Sequence, residues 1–192
     1  MSNTLLAQHI QRYVRISQSQ LEGVLDFFDV QSLKKKQTIL AEGQICKANY
    51  FVEKGLLRLF FVNAKGIEQT TYFALENWWI SDYTSFESQK PAAFNIQTVE
   101  KSEVLCLSHK AQEELLQQYP VMESYFRLMF QRATAAAQYR LKYLYDTSRE
   151  ELYHEFNRKH PEFVQRVPQY LLASFLGFTP EYLSEIRAKR KS

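Results

Sequence analysis

The sequence has few cysteines, and this scarcity excludes several classes of protein. Its 192 residues include only two, Cys46 and Cys106. Two thiols cannot form a disulfide scaffold, a four-cysteine zinc site or the four-thiolate iron–sulfur centre of an oxygen sensor. The four histidines are scattered, without a His-x-His or His-x-x-x-His pair. We therefore expect no metal site and no cofactor.

Glycine and proline are equally scarce, at five each, which excludes collagen-like and low-complexity sequences. No run approaches the ~18 uncharged apolar residues of a membrane span, and the first residues lack the basic and apolar regions of a signal peptide. We expect a cytoplasmic protein without a membrane partner. The net charge is only +3, so any basic surface for nucleic acid must be local.

Short segments rich in β-branched and aromatic residues predict β-structure in the first half of the chain. Gly43, Gly55 and Gly66 fall between them at spacings of twelve and eleven residues, as the turns of a small barrel or jelly roll do. A helix precedes the strands, because Ser17 and Gln20 have the spacing of a capping box. The predicted strands are Thr38–Leu40, Tyr50–Glu53, Leu56–Val62, Glu68–Phe73, Phe94–Val99 and Glu103–Leu107.

A long helix is predicted from Val121 to Tyr145, where glycine and proline are absent. Its length and its alanine-rich middle favour a dimerisation helix over a helix that packs only in its own domain. Apolar and small residues recur at helical spacing along one face. We expect this face to be the dimer interface, formed by Met122, Tyr125, Met129, Ala133, Ala136 and Tyr143.

The last part of the chain predicts two further helices and then a helix-turn-helix. Thr147 or Ser148 can cap a helix over Arg149–Lys159, which Pro161 ends, and Pro168 begins the next. In that next segment Ala173 is small enough for two helices to cross over it. Gly177 can end the first helix, while Thr179 and Pro180 begin the second. The apolar anchors between these two helices are Leu172, Leu176, Leu183 and Ile186. A helical hairpin without a DNA role is the alternative.

With these segments in this order, the whole chain resembles the CRP/FNR family of bacterial transcription regulators. The resemblance implies an α+β protein: a cyclic-nucleotide-binding-type jelly roll at residues 1–119, a dimerisation helix at 120–146 and a helix-turn-helix domain at 147–192. It also implies double-stranded DNA and a second copy of the chain as partners, with RNA polymerase and a small-molecule effector as further candidates. The motifs that carry the resemblance are Ile39–Gly43, Tyr50–Gly55, Leu57–Phe60, Lys65–Glu68 and Ala173–Ser184.

The phosphate cassette of the family's cyclic-nucleotide binders is not matched. That cassette has a Gly-Glu pair and an Arg-Ser or Arg-Thr pair, whereas Trp78–Phe94 contains neither glycine nor arginine. A cyclic phosphate needs a positive charge and free backbone donors. We therefore expect the barrel not to bind cyclic nucleotides. Trp79 and Tyr83 are candidate lining residues of an apolar ligand pocket, with core packing as the alternative.

Glu185 stands where the family's recognition helix usually has an arginine. A carboxylate can accept a hydrogen bond from cytosine but repels phosphate, so base preference or affinity should differ from the family pattern. We expect Thr179, Glu181, Tyr182, Ser184 and Glu185 to face the major groove, because they begin the second helix. We expect phosphate contacts from Gln169, Arg187, Lys189, Arg190 and Lys191, which lie at a helix start or in a basic segment.

These features together favour a transcription regulator over an enzyme. The sequence has no Walker loop, no Rossmann glycine run and no Gly-x-Ser-x-Gly elbow. A second reading is a ligand-sensing or scaffolding dimer whose DNA binding has degenerated, for which Glu185 is the main argument. A jelly-roll enzyme comes third, because it would need metal ligands that the scattered histidines do not supply.

Overall fold

A computed structural model of the chain describes residues 4–146 and 148–189, except for the side chains of Tyr143, Leu144 and Lys189. The helices are α1 (Leu5–Tyr13), α2 (Gln18–Leu25), α3 (Tyr83–Ser88), α4 (His109–Gln118), α5 (Val121–Asp146), α6 (Arg149–Lys159), α7 (Pro161–Arg166), α8 (Gln169–Leu176) and α9 (Pro180–Lys189). The strands are β1 (Asp29–Leu33), β2 (Thr38–Leu40), β3 (Ala48–Lys54), β4 (Leu57–Val62), β5 (Glu68–Ala74), β6 (Trp79–Ile80), β7 (Asn95–Thr98) and β8 (Ser102–Ser108). None of these helices has the length and apolar character that crossing a membrane requires.

The strands form two four-stranded sheets with the orders β1-β8-β3-β6 and β2-β7-β4-β5. Their pairings are antiparallel, with Leu33 opposite Ser102 and Tyr50 opposite both Cys106 and Ile80. Except for β4 and β5, successive strands of the chain therefore lie in different sheets, as in a jelly roll. This confirms the predicted α+β class with an N-terminal β-sandwich. The predicted turn glycines all have positive φ, between 74° and 105°.

The chain divides into two compact units. The first comprises Met1–Phe61 and Tyr72–Gln131, and the second comprises Val62–Thr71 and Arg132–Ser192. Helix α5 runs through both, since the boundary falls between Gln131 and Arg132. The three-part division made from the sequence stays a prediction.

The core of the first unit is organised around the hydroxyl group of Tyr125 on α5. The indole Nε1 of Trp79 donates to this oxygen at 3.0 Å, and His9 Nδ1 lies 2.7 Å from it. Because an indole N–H can only donate, the tyrosine oxygen accepts that bond, and it shares a second hydrogen bond with His9 Nδ1. Burial raises the pKa of Tyr125, so the proton stays on the hydroxyl. One side chain thus connects α1, β6 and α5.

Helix α1 is held to the sheet at its N-terminus. The two carboxylate oxygens of Glu53 on β3 accept hydrogen bonds from the backbone N–H groups of Leu5 and Leu6, each at 3.0 Å. These are two of the donors that the first turn of a helix leaves unpaired, and a negative charge there also opposes the positive end of the helix dipole. The sequence analysis did not predict α1.

The second unit contains a part of the chain that is distant in sequence from its helices. Ser174 Oγ on α8 accepts from the backbone N–H of Thr70 and donates to the carbonyl of Glu68, both at 2.9 Å. The guanidinium of Arg140 on α5 donates to the carbonyls of Thr71 and Phe175 and lies 4.1 Å from the centre of the Phe175 ring. Residues 62–71 therefore belong to this unit through side chains of α5 and α8.

The C-terminal helices differ from the prediction in one respect. Helix α6 occupies the predicted range and begins at Ser148, whose hydroxyl accepts from Glu151 N while the Glu151 carboxylate accepts from Ser148 N. Thr147, the other candidate cap, lies outside the described residues. Pro161 does more than end α6: it occupies the first turn of the short helix α7, where its missing N–H costs nothing.

Candidate nucleic-acid interface and ligand sites

Helices α8 and α9 form the predicted helix-turn-helix. Helix α8 ends at Gly177, which has the left-handed values φ 77° and ψ 29°. The N–H of Phe178 donates to Ala173 O and that of Gly177 to Ser174 O, the two bonds of a Schellman motif. Helix α9 then begins at Thr179, whose Oγ1 accepts from the N–H of Tyr182 at 3.2 Å. The glycine turn and the threonine cap are as predicted.

The two helices are fixed against each other by buried apolar side chains. Ala173 is fully buried, so α9 can approach α8 closely at this position. The predicted anchors Leu172, Leu176, Leu183 and Ile186 are all buried as well. The structure adds Phe178, which lies in the turn, is also buried and contacts the Tyr182 ring edge-on at 5.5 Å between centroids.

The face of α9 that points away from this core is polar. Four of the residues predicted to read bases are exposed on it or at its start, and Tyr182 is half-buried against Phe178. The four exposed residues are Thr179, Glu181, Ser184 and Glu185. Arg187 is exposed on the same helix, while the side chain of Lys189 and all of Arg190 and Lys191 lie outside the described residues.

Gln169, predicted to contact phosphate, is engaged by residues of α9. Its Nε2 donates to Ser184 Oγ at 2.7 Å, and its Oε1 accepts from Arg187 Nη1 at 3.4 Å. Ser184 Oγ in turn donates to the carbonyl of Pro180 at 2.9 Å. The Gln169 side chain therefore links α8 to α9 and holds Arg187 toward the exposed face. The sequence analysis missed this network, because it links residues 15 and 18 positions apart.

The positive charge of the chain is concentrated in the second unit. The residues of this unit carry 12 lysines and arginines against eight acidic residues, whereas the first unit carries 12 against 13. The small net charge of the whole chain thus hides a basic C-terminal unit. Such an excess favours association with the phosphate backbone of nucleic acid.

In the segment that corresponds to the phosphate cassette, two backbone donors are already occupied by a carboxylate. Asp82 is buried, and its two oxygens accept from Ser85 N at 3.1 Å and from Ala93 N at 2.9 Å. Asp82 is the N-cap of α3, so its negative charge lies where a helix N-terminus would attract a phosphate. The chain supplies its own anion at this position. Among the described residues, no group of His, Cys, Asp and Glu could hold a metal ion.

The two residues proposed to line a ligand pocket are not in one environment. Trp79 is buried in the core of the first unit, where its ring packs against Phe51 and Phe126 and its N–H donates to Tyr125. It is therefore a core residue, as the alternative held. Tyr83 is 39% exposed on α3, its ring 5.0 Å from that of Phe130, and it lines an open cavity.

The residues of the expected dimer interface divide along the length of α5. Met122 and Tyr125 are fully buried in the core of their own unit, so they have no surface left for a partner. This corrects the interface at its N-terminal end, because the first turns of α5 pack on the β-sandwich. Met129 is half-buried, Ala133 and Ala136 are exposed, and the side chain of Tyr143 lies outside the described residues. Large apolar residues exposed farther along α5 were missed: Phe130, Tyr139, Leu141 and Tyr145.

A jelly roll, a long helix and a capped helix-turn-helix follow one another in this order along the chain. Residues 30–119 match the cyclic nucleotide-binding domain family. Over those residues the sequence is similar to that family, and the chain has the fold of the CRP/FNR regulators, which confirms the resemblance drawn from the sequence. No curated protein matches the sequence.

Solved structures share this fold at low sequence identity. A mutant of CooA from Carboxydothermus hydrogenoformans is similar with a TM-score of 0.70 at 16% identity, over 100% of this chain and 85% of that one. FixK2 from Bradyrhizobium japonicum gives 0.70 at 16% identity, over 84% and 83%. The catabolite activator protein of Thermus thermophilus gives 0.58 at 19% identity, over 91% and 83%. The similarity therefore covers both units.

Proposed function

We propose that the chain is a homodimeric DNA-binding transcription regulator, not an enzyme, whose β-sandwich responds to a ligand other than a cyclic nucleotide. The observation that carries the proposal is the geometry of α8 and α9: a glycine turn, a threonine cap and a buried seam that together leave one polar face of α9 exposed. RNA polymerase is a candidate partner in this role. The similarity to solved transcription regulators supports the same function.

In the proposed complex the first turns of α9 enter the major groove. Glu181, Ser184 and Glu185 would meet base edges, since recognition helices read bases with their N-terminal residues. Arg187, held by Gln169, would bind phosphate together with the basic residues 189–191. In a two-fold symmetric dimer, two such helices would read half-sites about one turn of DNA, ~34 Å, apart.

A fluorescence-anisotropy titration with the DNA upstream of the protein's own gene tests this function. The protein should bind this upstream DNA, here called the native site, more tightly than a scrambled duplex of the same length. The logarithm of the affinity should fall linearly with the logarithm of the salt concentration. A protein that binds neither duplex at low salt would contradict the proposal. That result would favour the second candidate, a ligand-sensing or scaffolding dimer, which the exposed carboxylates of Glu181 and Glu185 also suit.

The dimer is proposed to form through the part of α5 that follows Phe130. There the exposed alanines let a second helix approach closely, and Tyr145, 89% exposed, offers aromatic surface.

Light scattering at micromolar concentration should give twice the mass of one chain. Ala136→Glu should shift the mass toward that of one chain, because a two-fold axis brings the two introduced charges together. Ala64→Glu, at an exposed turn alanine outside α5, is the matched control and should leave the mass unchanged. A monomeric wild-type protein would contradict this prediction.

Cyclic AMP and cyclic GMP are predicted not to bind. Two backbone donors of the cassette segment, Ser85 N and Ala93 N, are paired with Asp82, and the segment has no arginine to pair with a phosphate. Isothermal titration calorimetry should show no saturable heat up to about 1 mM of either nucleotide. A micromolar dissociation constant would refute the prediction.

A further inference from the structure

An open cavity of about 480 Å³ lies beside α3 in the first unit. It is distinct from the cassette segment, because the α3 residues that line it are not those that bind the cassette backbone. Tyr83, Thr84 and Glu87 line the cavity, whereas Asp82 and Ser85 hold the segment on the other side of the helix. Helix α4 contributes His109 and Gln112, β3 contributes Asn49, and α5 contributes Phe130.

Asn49 provides an acceptor that is not used within the described structure. Its side chain is 98% buried, with Nδ2 donating to Gln112 Oε1 at 2.7 Å. Its Oδ1 accepts no hydrogen bond from any described residue. Buried side-chain carbonyls are nearly always paired, so this one is an exception; its oxygen has almost no accessible surface, and a bound donor would reach it only if the Asn49 side chain turned toward the cavity.

The walls of the cavity are aromatic, and its only charge of fixed sign is negative. The rings of Tyr83 and Phe130 meet edge to face at 5.0 Å between centroids, and Phe86 packs against the His109 ring at 5.2 Å. The Glu87 carboxylate is exposed at the rim. Of the described residues that line the cavity, none is a lysine or an arginine. This lining does not suit a phosphate or a carboxylate.

We propose that this cavity binds a small aromatic amine, with its ring against Tyr83 and Phe130 and its ammonium group directed to Glu87. An aromatic ring gains from edge contacts with the two side chains, and an ammonium group gains from the Glu87 carboxylate and the aromatic faces. The proposal names the ligand class of the sensing domain and, as an effector site, rests on the proposed regulator function. Phe130 lies one residue before Gln131, the last residue of α5 in the first unit, so the ligand would contact the helix that leads to the second unit.

Two indole compounds with the same linker and terminal groups of opposite charge test the ligand class. Tryptamine carries an ammonium group, and indole-3-propionate carries a carboxylate on the same two-carbon linker. Calorimetry on the full chain without DNA should show saturable binding of tryptamine, at least about tenfold tighter than that of indole-3-propionate. Absence of tryptamine binding, or equal affinity for both compounds, would overturn the proposal.

Variants assign the binding to this cavity. Glu87→Gln should weaken tryptamine about tenfold and leave indole-3-propionate no weaker, because only the ammonium loses an ion pair. Glu103→Gln, at an exposed carboxylate on β8 that does not line the cavity, is the control and should change neither. Phe130→Ala should weaken both compounds, with the fold checked by circular dichroism. Tryptamine binding that is insensitive to Glu87→Gln and Phe130→Ala would place the site elsewhere and refute the proposal.

The same titrations separate this proposal from the regulator function. If the protein binds the native DNA site but not tryptamine, the proposed ligand site is refuted and the regulator function stands. If tryptamine binds as described and no DNA binds, the cavity assignment stands and the regulator function fails.

Discussion

Replacing Tyr125 with alanine is expected to lower the free energy of unfolding of the first unit by about 3–5 kcal/mol, because it removes a fully buried aromatic ring and leaves a cavity. The variant also deprives Trp79 Nε1 and His9 Nδ1 of their shared partner. Single domains are stable by only about 5–15 kcal/mol, so the loss takes much of the margin. Tyr125→Phe keeps the ring and should cost about 1–3 kcal/mol, the cost of leaving a buried polar group unpaired.

Urea unfolding followed by tryptophan fluorescence measures this effect in the correct unit. Both tryptophans, Trp78 and Trp79, belong to the first unit, so the fluorescence transition reports its unfolding. Val30→Ala is the control: Val30 is 63% exposed on β1, and its truncation should change the stability by less than about 0.5 kcal/mol. If Tyr125→Ala were as mild as Val30→Ala, the Tyr125 hydroxyl and ring would not organise this core.

Neutralising Lys189 and Arg190 together is expected to weaken binding to all DNA sequences alike. If each residue contacts one phosphate, the slope of log affinity against log salt should fall by about two units. Near 0.1 M salt this corresponds to a loss on the order of 10–100-fold in affinity. Glu181→Ala should instead relax discrimination at one base position, costing about 1–3 kcal/mol there. A double variant that changed only sequence preference would contradict the assignment of these two residues to phosphate.

Glu185→Arg gives the sharpest result on the same helix. If the carboxylate weakens binding through repulsion of phosphate, the arginine should tighten binding across many sequences. If the carboxylate accepts from a cytosine, the same change should abolish the preference for the native site. No effect in either direction, with helicity intact by circular dichroism, would show that the exposed face of α9 does not meet DNA.

The helix-turn-helix could be predicted because its signals are local. Gly177, Thr179 and the apolar anchors lie within fifteen residues, and each acts through backbone conformation or helical spacing. Strands β1 and β6 could not be predicted from the sequence. The first four residues of β1 are exposed and show no alternation, and β6 has only two residues, so neither carries a recognisable period. These strands exist because β8 and β3 offer them partners.

The predicted dimer interface on α5 shows a different limit of prediction from the sequence. Apolar residues at helical spacing predict that one face of a helix is buried, but they do not show which surface covers it. For this reason the positions of Met122 and Tyr125 fitted a dimer interface as well as a core. The cassette segment shows a third limit of prediction from the sequence. The sequence itself shows that the segment has no arginine. The hydrogen bonds from Ser85 N and Ala93 N to Asp82 could not be predicted, because they depend on a backbone path that only the fold defines.

The hydrogen bonds of Ser174 have a consequence for how the chain folds. They join residues that are 104 and 106 positions apart, so the C-terminal unit closes a very long loop when it forms. During synthesis, Glu68 and Thr70 emerge long before the serine that binds them, and this unit cannot be completed until almost the whole chain has left the ribosome. A fragment beginning at Arg132 would retain the helix-turn-helix but lack the backbone partners of Ser174 and one of the carbonyls bound by Arg140. The two units are interleaved along the chain, and no single cut separates them.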